Sequence, residues 1–159
     1  MKNENLDRMI ALAEDFFAAK NDPDQIAVDE EVMDRLRKIH PATLGEVADE
    51  HGPIAWMLVI PTTRQLMKQF LVKKITERDL LDLTHGGTTF DAVYLCSALV
   101  LPEYRHKGLA RRLALEAVRA LQRDYPIREL FYWSFSREGT RLAESVSRSL
   151  DLPLSRRPE

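Results

Sequence analysis

Cysteine is nearly absent from this chain of 159 residues: Cys96 stands alone. No intrachain disulfide can form, and a reducing, cytoplasmic setting is the expectation. Long apolar runs are missing too. Nothing approaches the ~20 residues that a membrane helix needs, and the opening Met-Lys-Asn-Glu-Asn-Leu-Asp-Arg lacks the apolar core of a signal segment, so no membrane association is expected. Neither sign of charge dominates, with 23 basic against 25 acidic side chains and a formal net charge of -2. The basic residues form no long tract, which argues against nucleic acid as a partner. Cysteine pairs, an H-E-x-x-H segment and carboxylate loops of calcium spacing are all lacking, so no metal is expected. Repeats, low-complexity stretches and Gly/Ser linkers are lacking as well, and residues 1–159 read as a single domain large enough to bury a core.

What is present is a sequence of amphipathic segments separated by turn residues. Leu6, Met9, Ile10, Ala13, Phe16 and Phe17 fall on one helical stripe that Asn21-Asp22-Pro23 ends. A second helix follows Asp29, buries Val32, Met33, Leu36 and Ile39, and closes at His40-Pro41 because the residue before proline avoids helical backbone. Residues 1–51 therefore read as a helical N-terminal part. Ile54 to Ile60 is a continuous apolar run, as expected of a strand buried on both faces. Thr63 can cap a short helix through Leu71, and Thr76-x-x-Asp79 has the spacing of a capping box ahead of Leu80 and Leu81. His85-Gly86-Gly87-Thr88 leads into a strand from about Asp91 to Leu101. Leu109, Ala110, Leu113, Ala114, Ala117, Val118 and Leu121 then give a long helix with clean three-and-four spacing. Ile127 to Phe135 reads as an aromatic-rich strand and Glu138 to Ser149 as a last helix. Strand, turn, long helix, strand is a crossover unit, so its two strands are expected to be parallel neighbours. Ser155-Arg156-Arg157-Pro158-Glu159 reads as a solvated tail.

The chemistry points to the turn Pro102-Glu103-Tyr104-Arg105-His106-Lys107-Gly108-Leu109-Ala110. A strand that passes through such a turn directly into a helix leaves the first helical N–H groups unpaired, with roughly half a positive charge from the aligned peptide dipoles. That combination suits phosphate oxygens. Arg105, Lys107, Arg111 and Arg112 add side-chain charge on a scale that fits one phosphorylated cofactor better than a duplex. The spacing is neither G-x-G-x-x-G nor that of a P-loop.

Arg105-x-x-Gly108-x-Ala110, behind the strand ending Val100-Leu101-Pro102, resembles motif A of the GNAT superfamily of acyl-CoA-dependent N-acyltransferases. The resemblance covers about Phe90 to Leu152. It implies an α/β (α+β) fold with a central mixed sheet, a parallel strand pair that splays at the motif, and flanking helices, here with a helical N-terminus. Residues 90–152 would form the coenzyme A-binding core. Acetyl-CoA would be the acyl donor, with its pyrophosphate on the backbone of Arg105, His106, Lys107, Gly108, Leu109, Ala110 and Arg111 and its pantetheine arm against Leu99, Val100 and Leu101. The acceptor would be an amine of a small molecule or a protein, attacking the thioester directly while the Val100 N–H, or that of Leu99, stabilises the oxyanion.

The last helix of that family carries a tyrosine that commonly protonates the leaving thiolate. With the register fixed on Ala143, Thr140 replaces the family's Asn, Ser147 its Tyr and Asp151 its Gly. A serine hydroxyl is shorter and much less acidic than a phenol of pKa ~10. Tyr104, Tyr132 and Ser134 are the substitutes within reach of the cleft, although alternation with Phe131 and Trp133 equally suits Tyr132 to packing. Asp91, His40, His51 and His85 are candidate bases, each also readable as a loop or surface residue, while His106 would sooner touch phosphate. Cys96, isolated in an apolar strand, reads as a small buried hydrophobe rather than a nucleophile.

The chain departs from the family in opening with a helix, in inserting helices between Thr63 and Thr84, and in ending with at most a remnant, Leu152-Pro153-Leu154, of the final hairpin that often walls the acceptor site. A homodimer is one way to supply that wall. Two readings stand: an N-acetyltransferase, and a non-catalytic acyl-CoA-binding or regulatory module with a degenerate site. A purely structural interaction domain would leave the positive turn unexplained.

Overall fold

The computed structural model describes residues 4–20, 29–133 and 136–158, with the side chains of 16–20 left out. Phe16, Phe17, the Asn21-Asp22-Pro23 stop, Ser134, Phe135 and Glu159 thus lie outside what is described.

Among the described residues, five strands form one mixed sheet in the order β1 (Leu44–Asp49), β2 (Gly52–Thr62), β3 (Ala92–Val100), β4 (Glu129–Tyr132) and β5 (Leu154–Arg156). The first two junctions are antiparallel and the last two parallel. Six helices accompany it: α1 (Glu4–Lys20), α2 (Glu30–Ile39), α3 (Arg64–Leu71), α4 (Glu77–Leu83), α5 (Leu109–Asp124) and α6 (Arg137–Leu150). The parallel β3–β4 pair expected from the crossover is present.

Local chemistry explains most boundaries. Asp29, Thr63, Thr76 and Ser136 each accept an N–H from the first turn of α2, α3, α4 or α6, and Thr76 with Asp79 completes a capping box. Such caps satisfy N–H groups that have no partner inside the helix. In β2 the residues from Pro53 to Thr62 are buried apart from Trp56, as a central strand covered on both faces requires. Phe70 of α3 meets Tyr94 of β3 and Phe131 of β4 edge-on, while Tyr94 stacks on Phe131 at 5.1 Å. Leu113, Ala114, Ala117, Val118 and Leu121 of α5 are buried, as the spacing predicts. Each fully buried Leu or Val contributes about 1.5–3 kcal/mol.

A second apolar cluster joins Met9 of α1 to Ile54 and Leu101. Polar bonds fasten the same end of α1: the Asn5 side chain donates to Asp49 Oδ1 at 2.8 Å and to the Gly52 carbonyl, and Arg8 pairs with Glu103 at 2.7 Å. Ile10, placed by spacing on the buried stripe, is 42% exposed; only part of the stripe reaches the sheet.

Three expectations change. The segment 1–51 is not wholly helical, because Leu44–Asp49 pairs with Ala55–Leu58, Pro53 and Gly52 as β1. Among the described residues the aromatic strand is shorter than expected, since β4 begins at Glu129 and its pairing ends at Tyr132. The C-terminal residues are no solvated tail: Ser155 and Arg156 pair with Phe131 and Tyr132, and Arg157 is buried. The reason is backbone satisfaction, because β4 would otherwise present an open edge that β5 closes.

Candidate functional site

Pairing between β3 and β4 stops at Leu95 opposite Tyr132, while β3 continues to Val100. Beyond that point, among the described residues, β3 is paired on one side only, to β2. Leu58 faces Ser97 and Val59 faces Leu95, so Cys96 is an extra residue in β3, a bulge placed where the two strands part. Bulges bend a strand and increase its twist, which helps end the pairing.

The bulge also fixes which backbone groups face the gap. Leu101 N–H donates to the Ile54 carbonyl at 2.9 Å. Amide directions alternate along a strand, so Leu99 also turns its N–H to β2, whereas Ala98 and Val100 turn theirs away from β2. The Val100 carbonyl on that side accepts Arg105 Nε at 3.0 Å. Of the two donors considered from sequence, Val100 therefore faces the gap and Leu99 does not; Ala98 is the second amide there.

The gap opens into a cleft of about 1030 Å³ between β3 and the first turns of α5 and α6. Leu99 and Val100 line it, as do Arg105, His106, Gly108, Leu109, Ala110 and Arg111. Leu101 does not, being 1% exposed and packed on Met9 and Ile54. Nor does Lys107, whose ammonium lies over the Tyr104 ring at 5.6 Å.

Gly108 caps α5 with φ 77° and ψ 13°, left-handed backbone that glycine adopts without penalty. His106 is left-handed too, with φ 64°. No side chain caps α5, and its first internal bond runs from Arg112 N–H to the Gly108 carbonyl. A Cβ built on Gly108 meets nothing within 4 Å, so the space over these amides is open. The basic side chains are less uniformly available than their spacing implies. Arg111 donates to Ser145 at 2.8 Å and to Ser149, bridging α5 to α6, and Arg112 pairs with Glu116 on the outer face.

Tyr132 lines the cleft at the last β3–β4 pair and is 7% exposed. Ser147 lies away from it, with its hydroxyl donated to the Leu152 carbonyl at 2.6 Å. Tyr104 reaches the cleft, but its hydroxyl donates to Asp49 Oδ2 at 2.5 Å. That bond holds the Asp49 carboxyl below its ordinary range and the Tyr104 phenol above its own; Arg8 likewise lowers Glu103. Tyr104 thus belongs to the fastening of α1.

Among the described residues none of the four candidate bases lines the cleft, and two of them, His40 and Asp91, are hydrogen-bonded elsewhere. His40 accepts the Ala42 N–H on Nδ1 at 3.0 Å and meets Asp124 through Nε2 at 2.6 Å. Asp91 accepts the Arg64 N–H at the start of α3. His51 and His85 are exposed. The carboxylates on the cleft are Asp15 of α1 and Glu138 of α6. Sequence spacing singles out neither, since each is one acid on a polar helix face.

Behind β3 lies a polar group in an aromatic setting. Tyr94, fully buried, donates its hydroxyl to Glu77 Oε2, and Cys96 Sγ approaches the same oxygen at 3.8 Å. Burial first, and then the Glu77 charge, push the Tyr94 phenol well above its ordinary value. Among the described residues no cluster of three or more His, Cys, Asp or Glu could hold a metal ion, and no helix is long and apolar enough to cross a membrane.

No family model matches the sequence, and no curated protein matches it. Solved structures do match in shape. The crystal structure of Chaetomium thermophilum Naa20 in complex with a bisubstrate analogue aligns with TM-score 0.54 and 15% identity over 91% of this chain. The chain spans 66% of that protein's length, slightly under two thirds. An aminoglycoside acetyltransferase from an uncultured soil metagenomic sample, in complex with trehalose, aligns with TM-score 0.47 and 12% identity over 94% of this chain and 82% of its own. The fold, a mixed five-stranded sheet with a parted parallel pair, is the GNAT fold.

Proposed function

We propose that the chain is an acyl-CoA-dependent N-acyltransferase that transfers an acetyl group from acetyl-CoA to an amine of a small molecule or a protein, with no covalent enzyme intermediate. One conjunction carries the reading. The uncapped, glycine-led start of α5 and the gap-facing amides of Ala98 and Val100 share one cleft.

In this reading the backbone from Arg105 to Ala110 holds the pyrophosphate of coenzyme A. Open space over Gly108 leaves room for phosphate oxygens, and the helix start supplies donors and partial positive charge. Bound there, acetyl-CoA supplies an activated thioester and leaves as coenzyme A. Ala98 and Val100 face the place that a continued β4 would fill, donating there to the pantetheine arm and to the thioester oxygen. As the amine attacks the carbonyl carbon, negative charge grows on that oxygen, and a fixed amide donor stabilises it without reorganisation. Asp15 and Glu138 are the carboxylates placed to accept the proton of the amine, and the Tyr132 hydroxyl is the phenol placed to protonate the departing thiolate.

A second reading keeps the cofactor and drops the transfer: a non-catalytic acyl-CoA-binding module. The hydroxyl of Ser147, turned to Leu152 and away from the cleft, favours it. Thermal stabilisation by acetyl-CoA and free coenzyme A, followed by thiol release with an amine panel, separates the two. A chain stabilised by neither ligand is neither enzyme nor module. Stabilisation with thiol release establishes the transferase, and stabilisation with no release from any class of amine favours the module.

A further inference from the structure

Arg157 is a charged side chain in the wrong kind of place. It is 7% exposed, and its Nε and Nη1 are buried and reach no hydrogen-bond partner among the described residues. The guanidinium sits in the corner of two rings that meet at 79°, 4.3 Å from the centre of Phe70 and 4.6 Å from that of Trp133. Stacking on aromatic faces recovers part of the cost of burying a cation, but leaves the in-plane N–H donors unsatisfied. Unpaired buried donors are costly and rare, and the donors of a guanidinium suit a carboxylate.

The surroundings indicate where that anion would come from. Trp133, half-buried, and Cys96 both line the cleft, and they are the first residues past the last β3–β4 pair. Arg157 does not itself line the cleft, but it touches Trp133, which does. Its backbone N–H donates to the Tyr132 carbonyl at 2.9 Å, which fixes the residue beside the end of β4. Glu77 supplies negative charge nearby, yet the contacts of its Oε2 go to Tyr94 and Cys96. The charge of Arg157 acts on Tyr94 with the opposite sign to that of Glu77, and no hydrogen bond through Nε or Nη1 joins the two.

We propose that Arg157 is a carboxylate receptor of the cleft: one reactant, the acyl group or the acceptor amine, carries a carboxylate that passes the edge of Trp133 and pairs with the guanidinium. The assignment rests on the acyltransferase reading. A carboxylate oxygen accepts from the Nε–H, one of the two buried donors without a partner.

The test uses the whole chain labelled with nitrogen-15, with the Arg157 Nε–H resonance assigned by its loss in Arg157→Lys. Succinyl-CoA is titrated against acetyl-CoA, and acetyl-CoA turnover is compared between amino acids and their primary amides. If the carboxylate is on the acyl group, succinyl-CoA moves the Arg157 Nε–H and binds at least about tenfold more tightly than acetyl-CoA; if it is on the acceptor, amino acids exceed their amides by a similar factor in kcat/KM. Arg157→Met should bring either ratio close to one while leaving coenzyme A affinity unchanged. It should not lower Tm, because it removes an unsatisfied buried cation and keeps an apolar filling between the rings. A purely structural arginine would show the reverse, with a lowered Tm and unchanged ratios, and that result overturns the proposal. A resonance unmoved by succinyl-CoA, together with equal rates on acids and amides, overturns it as well while the transferase reading survives. A chain that does not bind coenzyme A refutes both.

Discussion

Replacing Gly108 separates its two contributions, backbone conformation and open space. With φ at 77°, an L-residue there costs about 1–2 kcal/mol. For a chain of this length that is a fall in Tm of roughly 2–8 °C for Gly108→Ala. Asparagine tolerates left-handed backbone better, so Gly108→Asn should lose less of the fold. Both place a Cβ into the space over the α5 amides, where nothing stands within 4 Å. Displacing one or two charge-assisted hydrogen bonds, each about 1.5–3 kcal/mol, weakens coenzyme A by at least tenfold. At a concentration near one hundred times the wild-type Kd, the ligand stabilises the native protein by about 2.7 kcal/mol, a Tm rise of roughly 5–11 °C. A hundredfold weaker variant at the same concentration gains only about 0.4 kcal/mol, or about 1 °C. The assay is a melt with and without acetyl-CoA, backed by calorimetric titration. Stability should partly recover from Ala to Asn while affinity stays low in both. Wild-type affinity in Gly108→Asn would refute the placement of the pyrophosphate on this turn.

Tyr132→Phe should lower kcat by about 10²-fold or more, with acetyl-CoA affinity preserved, if the phenol protonates the thiolate; a kcat within twofold of wild type removes that role. Cys96→Ala should retain turnover, and intact-protein mass spectrometry of the wild type with acetyl-CoA should show no acetyl adduct on Cys96; an adduct with loss of turnover would indicate a covalent route. For pH, the carboxyls of Asp49 and Glu103 lie below their ordinary range in the fold, so the stability they lend is complete above that range and is lost as pH falls through the lowered values. Tyr104→Phe frees Asp49 of its main cause of lowering, so the acid unfolding midpoint, followed by tryptophan fluorescence, should move to higher pH; an unmoved midpoint means the Tyr104–Asp49 bond does not hold α1. At the alkaline end the sign is opposite: the Tyr94 phenol is raised, so its contribution is complete below about pH 10 and fades above it, and Tyr94→Phe should flatten the alkaline limb of a Tm–pH curve.

Most of the fold was legible because its signals are local. Thr63, the Thr76–Asp79 box and the α5 stripe each act within one helical turn, and each appears where its spacing placed it. β1 was not legible for the complementary reason. Leu44-Gly45-Glu46-Val47-Ala48-Asp49 holds residues of low strand preference, and it is a strand because β2 offers a partner, with the Glu46 carboxylate accepting the Trp56 indole N–H at 2.8 Å. The C-terminal strand was misread in the same way. Ser-Arg-Arg-Pro looks solvated until a parallel edge next to it needs its backbone.

The site divides along the same line. The anion turn could be read because Gly108, the strand before it and the helix after it are consecutive in sequence. The geometry that would orient a thioester depends on pairing that no single segment encodes. Cys96 becomes a bulge only because β2 holds Ser97 and Leu95 in adjacent registers, and that shift sends the amides of Ala98 and Val100 into the gap while turning Leu99 away. Shifting the frame by one residue would exchange those amides, since a strand alternates with period two. The length of β3 between its bulge and Pro102 therefore decides which amide faces a bound acyl group. Side chains on this strand bear on transfer mainly through the register they impose, so in β3 it is the spacing from Cys96 to Gly108, more than the identities between them, that the cleft requires.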